Sequence, residues 1–158
     1  MMKRLTKLER YMKRAEVAAL GSHDTETQVG AILVNNSNGA VIADGCNGFV
    51  RGAPDGVLPT ARPDKYTYMV HAETNLVANC ARLGISMEDC TIVCTHSPCS
   101  NCMRLLFQSG ITQVIVKQKY RDFEQLVKMR DINITESVTQ EGYLVLTYMQ
   151  SAVQPTIG

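Results

Sequence analysis

Near the start of the chain apolar side chains recur at helical spacing, at Leu5, Leu8, Met12, Ala15 and Ala19, which predicts an amphipathic helix over residues 6–20. A short apolar run over 29–34 follows. The turn-forming string Asn35-Asn36-Ser37-Asn38-Gly39 and a returning strand at 40–44 then make the first two strands an antiparallel hairpin. Residues 71–82 carry a second helical pattern, closed by Gly84. Residues 91–95 form a strand, the helix that carries Cys99 runs to Ser109 with Gly110 behind it, and residues 111–117 form the next strand. A helix over 121–130 turns Phe123, Leu126 and Val127 inward, and residues 143–149 are the last strand. Because a helix joins the final two strands, they are expected to run parallel. The fold class expected is α/β: a three-layer α/β/α arrangement with a mixed five-stranded sheet and helices on both faces, its site at the sheet end where the helices begin.

The polar stretches set the organisation. Residues 22–28 read as a loop, and residues 45–64 hold four glycines and three of the five prolines, the mark of a long ordered loop with a function. The tail over 150–158 reads as loose or as an oligomer contact. The 158 residues are expected to form one domain, 1–158, with a basic N-terminal helix over 1–20. That helix carries Lys3, Arg4, Lys7, Arg10, Lys13 and Arg14 on its polar side, with Glu9 the acid among them. The formal net charge is nevertheless only +1, so the global basic field of a nucleic-acid binder is lacking. No run approaches the ~18 apolar residues of a membrane span, and no apolar signal core follows the basic start. With two of the six cysteines claimed below as metal ligands, reduced, cytoplasmic chemistry fits better than a disulfide framework.

Two short pieces carry chemistry: His71-Ala72-Glu73 and Pro98-Cys99-Ser100-Asn101-Cys102, with 24 residues between Glu73 and Pro98. Zinc favours four tetrahedral donors drawn from thiolate, imidazole and carboxylate, and a catalytic site keeps one position for water. His71, Cys99 and Cys102 supply the other three, and two thiolates balance the charge of Zn²⁺. A water in the remaining position has its pKa lowered from about 15.7 toward ~7. Glu73 follows His71 closely enough to meet that water without ligating, which suits a proton shuttle. Ser97 is expected as the N-cap of a helix and Pro98 as its first residue, so Cys99 and Cys102 share one face in its first turns, where the helix dipole favours thiolates. A lone Cys-x-x-Cys reads as a redox pair or half of a structural zinc site, and a lone His-x-Glu means little; the two in this order are specific.

His-x-Glu followed by Pro-Cys-x-x-Cys resembles the signature of the zinc deaminases. The surrounding residues narrow the likeness over residues 22–122: Gln28-Val29-Gly30-Ala31, Gly45-Cys46-Asn47-Gly48, Asp64-Lys65-Tyr66 leading into Val70-His71-Ala72-Glu73, Ser109-Gly110-Ile111 and Lys119-Tyr120-Arg121-Asp122. These are similar to the deoxycytidylate (dCMP) deaminase branch of the cytidine deaminase superfamily. The resemblance implies hydrolysis of dCMP to dUMP and ammonia by attack at C4 of cytosine, feeding dTMP synthesis, with a single catalytic Zn²⁺. It implies Asn47 on the substrate sugar, the backbone of Gly30 and Ala31 flooring the base pocket, Ala72 and Ser97 beside the substrate, and Tyr120 covering the base. Arg121 then meets the phosphate, since a guanidinium donates two parallel hydrogen bonds. It further implies a homohexamer that dCTP with Mg²⁺ activates and dTTP inhibits. Gly45, Asn47 and Gly48 border that second nucleotide site, with Lys3 and Arg51 expected on the effector phosphates. The chain departs from the family at Cys46, where an aromatic is usual, and near Val50, where a proline is common.

The remaining residues take plainer readings. Cys90, Cys94 and His96 share one strand face and are a second candidate set for zinc, although a buried cysteine is more usually a small apolar core residue. His96, just before the zinc helix, reads as packed against backbone or else as facing the pocket, and His23 reads as solvated. Ser22 and Asp24 either reach a phosphate or cap a turn, and like charge disfavours Asp24 at a phosphate. Two other substrate classes would use the same zinc chemistry. One is dCTP, alone or beside dCMP. The other is a nucleic acid, tRNA adenosine or single-stranded DNA cytosine, which calls for a basic groove and stacking aromatics; a chain with no Trp and three Phe lacks them.

Overall fold

The computed structural model describes residues 2–120 and 133–149. The helix expected over 121–130, Arg121 itself and the tail over 150–158 lie outside the described residues. Helix α1 (Lys7–Ala19) starts at a capping box. Thr6 Oγ1 accepts from the Glu9 N–H at 3.1 Å, and the Glu9 carboxylate accepts from the Thr6 N–H at 2.7 Å. Strands β1 (Gly30–Asn35) and β2 (Val41–Cys46) form the expected antiparallel hairpin. A short pair, β3 (Gly48–Phe49) and β4 (Met69–Val70), then leads into α2 (Ala72–Leu83). Gly84 ends α2 at φ 69°, a left-handed cap that glycine adopts without a Cβ clash. β5 (Cys90–His96), α3 (Ser100–Gln108) and β6 (Gln113–Gln118) follow, and β5 and β6 pair in parallel.

Two expectations about the sheet are corrected. Among the described residues it has six strands, ordered β2-β1-β5-β6-β8-β7, rather than five. The last expected strand, β8 (Leu144–Tyr148), runs antiparallel to β6 rather than parallel. Both differences have one cause, β7 (Ile134–Val138), whose polar string Ile-Thr-Glu-Ser-Val buries Ile134 and exposes the rest. β7 holds the edge of the sheet, and a tight turn through Gly142 at φ 89° sends β8 back between it and β6. An edge strand with little buried surface leaves no apolar signal to read.

Burial on both faces makes the layers. Alternate residues along the central strands point oppositely. Ala31, Leu33, Ile92, Cys94, Val114 and Val116 face α2 and α3, where they meet Leu76, Cys80, Met103 and Leu106. Ile32, Val34, Val93 and Ile115 face α1 and meet Met12 and Ala15. A large apolar side chain buried this fully contributes roughly 1.5–3 kcal/mol. Two glycines let the helices close in. At Gly30 a Cβ would run into the Ala15 carbonyl of α1, and at Gly45 it would lie 2.9 Å from the Ala72 carbonyl oxygen and Leu76 nitrogen of α2. As a result α2 and α3 begin side by side at the end of β5.

Candidate active site

His71 is the N-cap of α2, in extended backbone at φ −67° and ψ 152°. The β3–β4 pairing sets Gly48 opposite Val70 and so brings Asn47 to the same place as His71. Asn75 in the first turns of α2 donates to the Cys46 carbonyl at 2.9 Å and ties the helix start to the end of β2. On the other side, the N-cap of α3 is Cys99, not Ser97, and the helix begins at Ser100 rather than Pro98. The Ser97 hydroxyl is already taken by the Tyr120 N–H at 2.7 Å, and the Ser97 N–H donates to the Gln118 carbonyl at 3.0 Å. The capping acceptor is therefore the Cys99 sulfur, 3.5 Å from the Cys102 N–H. The expected gathering of two helix starts holds, displaced by two residues.

A tetrahedral ion with Zn–N of ~2.1 Å and Zn–S of ~2.3 Å sets a nitrogen and a sulfur donor about 3.5 Å apart. His71 Nδ1 lies 3.6 Å from Cys99 Sγ and 3.4 Å from Cys102 Sγ, and all three donors lie within 4.8 Å of one another. The donor set fits zinc in type and spacing. His71 is exposed, Cys99 half-buried and Cys102 buried, so the site opens to solvent on the imidazole side. Cys102 also lies 3.7 Å from the Thr74 hydroxyl, which fixes that sulfur from behind. The two sulfurs share one negative charge between them. The Cys102 thiol, with help from His71, pushes the Cys99 thiol down to about 4, and the same contact together with burial pushes Cys102 up. A dication at this point removes the competition and lets both ionise.

Glu73, in the first turn of α2, is 3% exposed and is not among the three gathered donors. Burial pushes its carboxyl pKa up, the setting of a group that takes and returns a proton. Beneath it Cys94 Sγ lies 3.9 Å from Glu73 Oε1, its thiol pushed well up by burial. The second candidate metal set is not assembled. Among the described residues only His71, Cys99 and Cys102 gather their donor atoms, and Cys90 and Cys94, four positions apart on a strand, are separated by about 13 Å. Cys90 turns instead to the Glu88 carbonyl at 3.5 Å.

His71, Cys99 and Glu73 border a cavity of about 120 Å³, several times the ~10–15 Å³ that one ordered water needs. Asn47, Ala72, Ser97 and Tyr120 line it. His96 lines it too, the second of its two readings from the sequence, with its ring edge-on to Tyr120 and centroids 5.4 Å apart. Thr27 and Val29 are in the wall, whereas Gly30 and Ala31 are not among the lining residues. The Gly30 N–H is directed to Thr95 Oγ1 at 3.1 Å and Ala31 is fully buried in the core. Gly45, Gly48, Arg51 and Lys3 also lie outside the lining, the last two exposed.

Asp24 caps a turn, one of its two readings from the sequence, but Asp24, Lys65 and Arg62 also have side-chain partners that the sequence did not signal. Asp24, whose Oδ1 caps the turn at Glu26 and Thr27, forms a buried ion pair with Lys65 at 2.7 Å. Arg62 pairs with Glu26 and donates at 2.7 Å to the hydroxyls of Tyr66 and Tyr120, two residues of the cavity wall. The Asp24–Lys65, Arg62–Glu26 and Arg62–Tyr120 contacts join residues 41, 36 and 58 positions apart, and no periodicity or motif announces such pairs.

A site whose protein donors stop at three, with a carboxylate held back from ligation, suits hydrolysis assisted by a metal rather than structural metal binding. The chain belongs to the family described as the cytidine and deoxycytidylate deaminase zinc-binding region, whose pattern matches residues 5–118. It is 34% identical over 129 residues to the deoxycytidylate deaminase of Homo sapiens, taking in 77% of this chain and 71% of that protein. It is 36% identical over 114 residues to a probable deoxycytidylate deaminase of Caenorhabditis elegans, 70% of this chain but only 56% of the nematode protein. Among solved structures, the dCMP deaminase of cyanophage S-TIM5 in complex with dCMP and dUMP matches with a TM-score of 0.66 at 28% identity, covering 82% of this chain and 94% of that one.

Proposed function

We propose that this chain hydrolyses dCMP to dUMP and ammonia. The observation that carries the reading is the convergence of His71, Cys99 and Cys102 at tetrahedral spacing beside buried Glu73, in a chain similar to a dCMP deaminase solved with substrate and product. Zinc, when bound, supplies the activated water for attack at C4 of the base. Glu73 takes a proton at its carboxylate, returns it to the ring nitrogen and assists the departure of ammonia. Asn47 meets the sugar, Ala72 and Ser97 flank the base, Tyr120 covers it, and Arg121 reads the phosphate. The rest of the reading is carried by the family likeness. We take residues 1–158 as one cytoplasmic domain that assembles as a hexamer, activated by dCTP with Mg²⁺ and inhibited by dTTP, with Gly45, Gly48, Arg51 and Lys3 at the effector site. Among the described residues no helix is long and apolar enough to cross a membrane.

Ammonia release from dC, dCMP, dCTP and CMP, each with and without dTTP, tests the substrate and the regulation together. Turnover of dCMP that dTTP suppresses is the expected result. Equal turnover of dCTP would overturn the monophosphate preference, and indifference to dTTP would remove the effector reading. Unchanged dTTP inhibition of Arg51→Ala would remove Arg51 from it.

A further inference from the structure

Asp24 and Lys65 stand in the cavity wall 5% and 3% exposed, outside the metal donors and the proton path. Taking two charges out of water is costly, and a buried ion pair often adds no net stability over an apolar substitute. The geometry gives the pair another use. Asp24 Oδ1 serves its own turn, while Oδ2 accepts from Lys65 Nζ at 2.7 Å and from Asn47 Nδ2 at 3.3 Å. Asn47 Nδ2 also donates to the Thr27 carbonyl at 2.9 Å, and its Oδ1 accepts from the Val29 N–H at 2.9 Å. A side-chain amide has two donors and two acceptor lone pairs. Here both donors and one lone pair are used within the protein, which leaves a single acceptor position on Oδ1. Flipping the amide would set its oxygen against the Asp24 carboxylate and the Thr27 carbonyl, and its nitrogen against the Val29 N–H.

We propose that Asp24 and Lys65 are positioning residues for Asn47: the ion pair locks the amide so that it offers the cavity an acceptor and no donor, and the site therefore selects a ligand that presents a hydroxyl there. The inference rests on the reading that Asn47 meets the substrate sugar. In dCMP the sugar has one free hydroxyl, at the 3′ carbon. Lys65 neutralises Asp24, so that the carboxylate stays buried at the distance Asn47 needs. Replacing Asp24 by Asn keeps the turn-capping oxygen and turns an amide nitrogen toward the Asn47 nitrogen; replacing Lys65 by Met at the same time leaves no unpaired buried charge.

The test measures kcat/KM of the zinc-loaded protein for dCMP, 2′,3′-dideoxycytidine monophosphate and deoxycytidine, in wild type, Asn47→Ala and the double variant Asp24→Asn/Lys65→Met. Wild type is expected to favour dCMP over the dideoxy substrate by ~10-fold or more, the scale of one buried hydrogen bond. The double variant, with zinc content and thermal unfolding confirming its fold, should bring that ratio within ~3-fold mainly by losing dCMP turnover. A merely structural defect would lower both substrates alike and leave the ratio in place, which overturns the proposal. Loss of dCMP against deoxycytidine instead would make Lys65 a phosphate contact, and also overturns it. No discrimination in wild type, with Asn47→Ala unchanged, would sink the underlying reading of Asn47 rather than the positioning step. Asp24→Asn alone, which removes no volume, carries the same ratio where the double variant does not fold.

Discussion

In the proposed reaction Glu73 is the proton carrier, a role that suits a carboxyl buried beside the metal donors yet not one of them. Glu73→Gln keeps the shape and removes the proton carrier, so kcat should fall by ~10²–10⁴-fold while bound zinc stays stoichiometric. Ammonia release and elemental analysis on the same preparation check both halves, and turnover within a few-fold of wild type would end the assignment. Asp24 makes a prediction of a different kind. Burial alone would raise its pKa, but the Lys65 ammonium and the N–H groups of Thr27 and Glu26 outweigh it and hold the carboxyl below its ordinary value. The unfolded chain therefore takes up this proton first as acid is added. The stabilisation is complete above about pH 4 and is lost as pH falls through the folded pKa. In an acid series of thermal melts, Asp24→Asn/Lys65→Met should lose stability less steeply than wild type below about pH 4. His71, Glu73, Cys99 and Cys102 were legible in the sequence because metal chemistry confines donors to short motifs. The turn cap at Asp24 was legible too, but the partners of Asp24, Lys65 and Arg62 were not, because a single charge in a polar loop looks the same whether it is solvated or paired with a residue 41 positions away.

Elements were legible where one helix face or both strand faces are apolar, and illegible where neither is. The α1 stripe and the β1–β2 hairpin stand where the pattern put them, while edge strand β7 went unseen and took the direction of β8 with it. The start of α3 shows a second limit. Ser-Pro is a fair signal for a helix N-terminus, but the Tyr120 N–H had claimed the serine oxygen and a cysteine sulfur took the cap. Packing between elements gives a sharper prediction than their boundaries. An added Cβ at Gly30 meets the Ala15 carbonyl and lies 2.5 Å from the Ala19 nitrogen, both backbone atoms of α1 that cannot rotate away. Gly30→Ala should therefore push α1 off β1 and cost ~1–3 kcal/mol, a fall in Tm of roughly 2–12 °C for a chain of this size. A melt unchanged within a degree would mean that α1 moves freely over the sheet. Thr6→Ala, at the exposed end of the same helix, removes one half of the capping box and should cost only ~1 kcal/mol.

At the scale of the whole molecule, the three donors unite the starts of two helices that pack on the same face of the sheet. The layered sheet brings the N-termini of α2 and α3 together, but it also brings together two sulfurs that compete for one negative charge. A bound dication relieves that competition and clamps His71 to Cys99 and Cys102 across 28 and 31 positions of chain. Folding and metal binding are then linked, because the unfolded chain holds no preformed site. Stability should rise with free zinc, by ~4 kcal/mol at a thousand times the dissociation constant. Chelation should lower Tm and abolish turnover together, and returned zinc should restore both. Cys102→Ser should blunt the dependence of Tm on zinc, since a hydroxyl does not ionise near neutral pH and cannot replace the thiolate. Melts across a buffered zinc series, run on wild type and Cys102→Ser with ammonia release at each point, decide the matter. Full activity and an unchanged Tm in metal-free protein would detach the catalysis from the ion and leave these three residues as packing alone.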